Sequence, residues 1–284
     1  MADKKRLDAA VFELGLCDSR SKASAMIMSG AVYVNGQKET KAGYTVKPTD
    51  KIELKGKQMP YVSRGGYKLE KAMKYFPITL SDCVCMDIGA STGGFTDCML
   101  QKGAKKVYSI DVGYGQLAWK LRTDERVVNL ERTNFRYLTN ETVTEEIDFA
   151  SIDVSFISLK LILPVLFGFL KQGGKCVALI KPQFEAGKEK VGKKGVVRDI
   201  STHIEVVSSI VKFAVETGFS VLGLTFSPIK GPEGNIEYLV FLSKDGEGSL
   251  SFDEAYITEI ADTSHKHLNG DNNDYSRNSS KPYP

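Results

Sequence analysis

Sulfur, imidazole and long apolar runs are all scarce in this chain of 284 residues. Its five cysteines, Cys17, Cys83, Cys85, Cys98 and Cys176, are odd in number and include no CxxC pair. That argues against a disulfide framework or a zinc site, and for a reducing, cytoplasmic setting. Three histidines, His203, His265 and His267, are too scattered to support a His-based mechanism. The longest apolar run, Leu161–Leu170, is interrupted by Pro164 and Gly168. A membrane span needs roughly 20 apolar residues, so no spanning segment is expected. The start, MADKKRLDAAVFELG, has basic residues with no apolar core behind them and does not read as a secretory signal. A hydrophobic fraction of 42% with 26% charged residues excludes wholesale disorder and collagen.

The net charge of +3 is mild, but it is unevenly placed. Residues 1–60 carry eleven Lys/Arg against seven Asp/Glu, and residues 61–244 carry twenty-four against twenty. Residues 245–284 reverse the sign, with three against eight. A basic body with an acidic tail points to a polyanionic partner.

Composition divides the chain into residues 1–58, 59–244 and 245–284. In the first, Leu7, Ala10, Val11 and Leu14 recur at helical spacing within Arg6–Leu16, a helix ended by Gly15. Ser19 reads as the N-cap of a second helix, Arg20–Met28, stopped by Gly30. The strand AVYV then meets Asn35-Gly36, a type I′ hairpin signal. A small α+β unit is expected. Lys4, Lys5, Arg6, Arg20, Lys22 and Lys38 form its cationic set. Arg20 and Lys22 stand at a helix start, where free N–H groups favour phosphate. A merely solvated face is the competing reading.

The second segment alternates strand and helix. VCMDIGA, KKVYSIDVG, RVVNLER, IDFASIDVS, GKCVALIKPQ, SVLGLTFSPI and EYLVFLSK are the strands. Near-continuous apolar runs predict strands buried on both faces of a parallel sheet. Helices are expected over Gly94–Lys102, Phe156–Leu170 and Ser201–Thr217. The result is a doubly wound α/β sheet. Only Lys230–Ile236 separates the last two strands, too short for a crossover helix, so that pair should be antiparallel. The third segment, rich in Asp, Asn and Ser, is expected to be disordered.

Chemistry concentrates at the strand ends. The first strand runs into Asp87, Gly89, Ala90, Ser91, Thr92, Gly93, Gly94 and Phe95. Glycines at a strand-to-helix turn let a ligand approach the backbone, and the next helix offers free N–H groups. The pattern is neither GxGxxG nor a Walker A loop. Asp111 ends the second strand about twenty residues on, where a carboxylate can accept from both hydroxyls of a ribose. Loop and acid together suit a nucleoside cofactor without a pyrophosphate, such as S-adenosylmethionine. Asp153 and Lys181 end the fourth and fifth strands. A Lys after CVALI needs a rim position or a partner, and Asp153 is the obvious one. Lys68 lies in the helix SRGGYKLEKAMKYF, and Glu237 opens the last strand, an unusual place for an acid.

These residues resemble a known family. RLDAAVFELGL, SRSKASAMI and GAVYVNG look like the S-four RNA-binding domain. SRGGYKLEKA, DIGASTGGFTD, DVGYGQLAWKLR, ERTN, DVSFISL, LIKPQFEAG, GVVRD and GNIEYL look like the FtsJ-like methyltransferases that act on RNA ribose. The combination, over roughly 240 of the 284 residues, resembles the TlyA family, often labelled haemolysins. The resemblance implies a Rossmann-like methyltransferase fold, S-adenosylmethionine as cofactor, and ribosomal RNA or its subunits as partner. It implies methylation of a ribose 2′-hydroxyl, with cytidine as the nucleotide. It also implies a Lys-Asp-Lys-Glu tetrad at Lys68, Asp153, Lys181 and Glu237. The cofactor pocket would be lined by Asp87 to Phe95, Asp111, Val112, Glu131 or Asn134, and Asp153. Lys5, Arg6, Arg20, Lys22, Lys38 and Arg64 would contact RNA. No metal is implied, and a monomer or weak homo-oligomer is expected. Lys181 is expected to accept or polarise the hydroxyl proton. The competing classes are a non-catalytic RNA-binding protein, a membrane-active lysin and a nicotinamide dehydrogenase.

Overall fold

A computed structural model describes residues 4–17, 19–28, 30–55, 59–245 and 253–269. It separates into two compact units that meet in sequence between Pro60 and Tyr61.

The first unit begins with a two-residue strand, β1 (Lys5–Arg6), followed by α1 (Leu7–Glu13) and α2 (Arg20–Met28). Strands β2 (Val32–Val34), β3 (Gln37–Lys38), β4 (Thr45–Val46) and β5 (Ile52–Leu54) complete it. Ser19 caps α2 by accepting from the Lys22 N–H at 3.2 Å, as its place in the sequence predicts. β2 and β3 form the expected hairpin, with φ of 51° at Asn35 and 80° at Gly36, both positive as a type I′ turn demands. Leu7, Val11, Ala23, Ile27 and Val32 form a fully buried core. Helix α1 stops ahead of Gly15, as the sequence predicts, where φ of 68° turns the chain away. The β1–β4 pair was not foreseen, because two residues per strand carry no readable period.

The second unit is a seven-stranded sheet. Its strands are β6 (Val84–Ile88), β7 (Lys106–Ile110), β8 (Val127–Leu130), β9 (Ile147–Ile152), β10 (Leu170–Ile180), β11 (Ser220–Phe226) and β12 (Tyr238–Ser243). They lie in the order β11-β12-β10-β9-β6-β7-β8. β6 to β10 run parallel, and β12 is antiparallel to both β10 and β11. The chain crosses back between β6 and β9, and in open sheets of this kind ligands bind at the C-terminal strand ends beside such a switch point. Helices α3 (Gly65–Tyr75), α4 (Gly94–Gln101), α5 (Trp119–Arg122), α6 (Leu163–Phe169), α7 (Pro182–Glu185), α8 (Ile200–Glu216) and α9 (Glu254–Asn269) complete the unit. The core lies on both faces of the sheet.

Two expectations are corrected. The helix over 156–170 is a turn, a 3₁₀ segment (Leu159–Leu161) and the shorter α6. Pro164 has no N–H and disfavours helix in the residue before it, so the helix can only start there. The last segment is not uniformly unstructured: α9 buries Ile257, Ala261 and Ser264, spaced along one face of the helix. It packs on α8 and β11. Residues 246–252 and 270–284 lie outside the described residues. Among the described residues, no helix is long and apolar enough to cross a membrane.

Candidate active site

The loop after β6 owes its shape to residues that a side chain would spoil. Gly89 has φ 88°, and a Cβ there would stand 2.6 Å from the Asp153 carbonyl oxygen, so the first loop can lie directly on the loop after β9. Gly93, at φ 91°, forms the left-handed N-cap of α4. A Cβ on Gly94 would lie 2.9 Å from the Gly66 nitrogen, which is how the starts of α3 and α4 come together. This close crossing sets the position of Lys68, one turn further along α3.

Asp87 faces the interior rather than the crevice. It is 1% exposed and accepts from the Thr96 N–H (2.9 Å) and hydroxyl (2.7 Å) and from the Ser151 hydroxyl (3.3 Å). Burial pushes its pKa up to about 7. Its work is to tie β6 to α4 and β9, behind the loop. Phe95 and Gly94 are also buried, whereas Ser91 and Thr92 are exposed at the rim. Asp111 accepts from the Ser91 N–H (2.8 Å) and the Gly113 N–H (2.7 Å), so it shapes the crevice wall while staying partly accessible. Val112 beside it is 71% exposed. Glu131 is differently committed: it accepts from the Gln116 N–H (3.1 Å) and pairs with Arg122. Burial opposes its charge, but Arg122 and the loop amides hold its pKa down at about 2. Asn134 caps a 3₁₀ turn by accepting from the Arg136 N–H.

The four tetrad candidates converge from four elements. Lys68 comes from α3, Asp153 and Lys181 from the ends of β9 and β10, and Glu237 from the residue before β12. The Lys68 Nζ lies 2.7 Å from Glu237 Oε2 and 3.2 Å from Asp153 Oδ2. The Lys181 Nζ lies 2.5 Å from Asp153 Oδ1 and donates to Ser155 Oγ at 3.2 Å. Two lysines and two carboxyl groups thus close a cluster in which Lys68 and Lys181 are each 7% exposed and Glu237 is 1% exposed. Burial alone would lower the Lys68 pKa; Asp153 and Glu237 outweigh it and raise it above the ordinary lysine value. Burial would raise the Asp153 pKa, and the two lysines hold it below the usual carboxylate range.

Sequence reasoning missed the mouth of this cluster. Phe156 is 89% exposed and sits at φ 62°, a conformation that costs an ordinary side chain energy. Its ring lies 4.9 Å from that of Phe184, whose centroid is 5.8 Å from the Lys181 Nζ. Glu185 fastens this corner by accepting from the Ser158 hydroxyl (2.6 Å) and the Leu159 N–H (2.8 Å). The signal was present in DVSF and KPQFE as an apolar residue beside each polar one, but an apolar residue normally reads as core.

In the first unit, Arg6 and Arg20 converge on Asp8, at 2.8 and 3.3 Å. Arg6 and the Ala9 N–H lower the Asp8 pKa to about 2, against the effect of its burial. Lys5 pairs with Glu13, Lys22 and Lys38 are exposed, and in the second unit Arg64 is exposed ahead of α3. Among the described residues, no cluster of His, Cys, Asp and Glu is arranged to hold a metal.

Comparison with known proteins identifies the family. The pattern of the FtsJ-like methyltransferases matches residues 61–244, and that of the S4 domain matches residues 5–52. The chain is 52% identical over 268 residues to the Bacillus subtilis protein YqxC, named as an rRNA methyltransferase, covering 93% of this chain and 95% of that one. It is 42% identical over 252 residues to the Mycobacterium tuberculosis 16S/23S rRNA (cytidine-2'-O)-methyltransferase TlyA, covering 88% and 94%. A solved structure from Streptococcus thermophilus, named as a hemolysin, superposes with a TM-score of 0.74 at 48% identity, covering 95% of this chain and 98% of that one. The chain therefore belongs to the FtsJ-like methyltransferases and, among them, to the TlyA family, in which an S4 domain precedes the catalytic one.

Proposed function

We propose that this protein transfers a methyl group from S-adenosylmethionine to the 2′-hydroxyl of a cytidine in ribosomal RNA. The observation that carries the proposal is the closed Lys68–Asp153–Lys181–Glu237 cluster at the C-terminal end of the sheet, against the glycine loop after β6. The residues present fit the cofactor. Asp111 offers a partly accessible carboxylate for ribose hydroxyls, and exposed Val112 offers an apolar surface for a base. When bound, the cofactor supplies an electrophilic methyl carbon on a sulfonium.

The chain's own residues do the rest. Lys181 is held from two sides, by Asp153 and Ser155, so its remaining hydrogen-bonding direction serves the sugar hydroxyl. In this step Lys181 acts as the free amine, with its N–H bonds on Asp153 and Ser155 and its lone pair towards the hydroxyl; it accepts the hydroxyl proton as the oxygen–carbon bond forms and the carbon–sulfur bond breaks, and adenosylhomocysteine leaves. Lys68 keeps its charge and balances the two carboxylates. Alignment of oxygen, methyl carbon and sulfur in one crevice accounts for much of the remaining rate. Phe156 and Phe184 offer rings against which an unstacked base is received, as an enzyme acting on a single ribose within folded RNA requires. The S4 unit supplies cations that hold phosphates and folded RNA shape. Mapping 2′-O-methyl groups on ribosomal RNA with and without the protein tests the proposal; identical maps would refute it.

A further inference from the structure

Between α7 and α8 runs a segment that the reaction above does not use. Residues 187–198 hold five cations, Lys188, Lys190, Lys193, Lys194 and Arg198, against one carboxylate, Glu189. All five cations are exposed. Lys190 pairs with Glu205; among the described residues, the side chains of Lys188, Lys193, Lys194 and Arg198 have no partner. Lys190, Lys193, Lys194 and Arg198 line an open concavity of about 430 Å³. The carboxylate that also lines it, Asp199, is committed to the start of α8, where it accepts from the Ser201 hydroxyl and from the Thr202 N–H and hydroxyl. Glu189 folds back over Gly187. Unpaired like charges repel, so a free loop of this composition would spread into solvent.

This loop is instead fastened by a buried side chain. Asn235 is 1% exposed; its Oδ1 accepts from the Val197 N–H at 3.0 Å and its Nδ2 donates to the Gly195 carbonyl at 2.8 Å. The Val197 carbonyl is held from the other side by the His203 Nε2 at 3.0 Å. Within the loop, the Gly195 N–H donates to Gly192 and the Gly192 N–H to Val196, closing a turn at Gly195, φ 71°. The segment leaves the sheet six residues after Lys181 and is clamped by the residue two before Glu237. Its start follows α7, which begins directly after Lys181, and its clamp Asn235 stands two residues before Glu237, so both are joined along the chain to elements that carry the tetrad.

We infer that residues 188–198 form a phosphate-binding loop for the RNA strand that carries the target ribose, with Asn235 as the positioning residue that locks it beside the active site. Cations held close together without carboxylate partners are matched by the regular charges of a nucleic acid backbone, and counterion release favours the match. The inference rests on the RNA reading above and adds where the strand's backbone is gripped on the catalytic unit.

The test uses the full-length protein, ribosomal RNA freed of protein, and polycytidylate as an unstructured strand. A Lys193→Gln/Lys194→Gln/Arg198→Gln variant alters only exposed side chains. It is expected to bind adenosylhomocysteine like the parent and to bind both RNAs at least about 10-fold more weakly in moderate salt. Each lost contact on a single strand removes about 0.7 from the slope of log affinity against log salt, so three contacts remove about two. Asn235→Ala is expected to raise the KM for RNA several-fold while leaving the cofactor dissociation constant unchanged. RNA affinity and salt slope equal to the parent's in the triple variant would overturn the inference, as would a parent that binds neither RNA. A parent that binds RNA but transfers no methyl would count against the proposed reaction alone, because the binding comparison would still read out the loop.

Discussion

Asp153 stands between the Nζ atoms of Lys68 and Lys181, and this one carboxylate organises the candidate site. Replacing Lys181 with Ala is expected to reduce methyl transfer by several orders of magnitude while adenosylhomocysteine still binds; near-normal turnover in a radiolabel assay would refute the role given to Lys181. Lys68→Met has a different signature. It strips the shared cation from Asp153 and from fully buried Glu237, and removing one partner of a buried ion pair typically costs about 3–5 kcal/mol. A clear fall in Tm is expected. Lys68, with its raised pKa, contributes stability below about pH 10 that is lost as pH climbs past its folded value. Asp153, with its lowered pKa, contributes stability above about pH 4 that is lost as pH falls through its folded value. Lys68 and Asp153 therefore stay ionised across the physiological range, and a thermal shift for Lys68→Met confined to the pH extremes would contradict this account. Asp153 and Lys181 were legible in the sequence because each ends an apolar strand. Lys68 was not: a helical lysine looks solvated until the crossing of Gly66 and Gly94 is known, and only the family resemblance singled it out. Phe156 was misread for a related reason, since a backbone φ of 62° has no sequence period.

At the scale of elements, α8, β12 and α9 share a buried polar contact. The His203 Nδ1 lies 2.9 Å from the Tyr238 hydroxyl, which lies 3.3 Å from the Ser264 hydroxyl on α9. The ring of His265 lies 4.8 Å from that of His203. Burial lowers the pKa of both histidines. The unfolded chain takes up protons near pH 6.5 while the folded chain resists them, so this contribution is complete above that value and is lost as pH falls below it. Asp87 acts in the opposite sense. Its pKa, raised to about 7, costs stability as pH rises from about 4 to 7. The informative measurement is therefore a difference: the Tm of His203→Gln should lose less than that of the parent between pH 7.5 and 5.5, and parallel curves would count against the histidine. Ile257, 3% exposed on α9, should cost about 2–4 kcal/mol when cut to Ala, read by urea denaturation. A negligible change would mean that α9 is not part of the folded unit. The helix escaped the sequence reading because the segment around it, residues 245–284, is rich in Asp, Asn and Ser, and its apolar face is only a few residues wide.

For the whole molecule, the chain divides at Pro60 into two units, and the proposed function assigns holding RNA to the first and modifying it to the second. Deleting residues 1–60 is expected to preserve cofactor binding, measured by calorimetry, and to abolish methylation of large RNA. A truncated protein with full activity on ribosomal subunits would disprove that division of labour. RNA affinity of the intact protein should fall steeply with salt, as phosphate contacts made by Lys and Arg demand.

Local pattern was enough to place the strands, the antiparallel end of the sheet, the Asn35-Gly36 hairpin and the Ser19 cap, because each depends on neighbours a few residues apart. It also placed the glycine loop and the acids at the strand ends, since strand termini are visible as a change from apolar to polar. Which way a side chain faces at such an end depends on what lies across the sheet. Only the folded chain turned Asp87 inward, brought Lys68 to Glu237 across 169 positions of sequence, and clamped a loop of unpaired cations with Asn235.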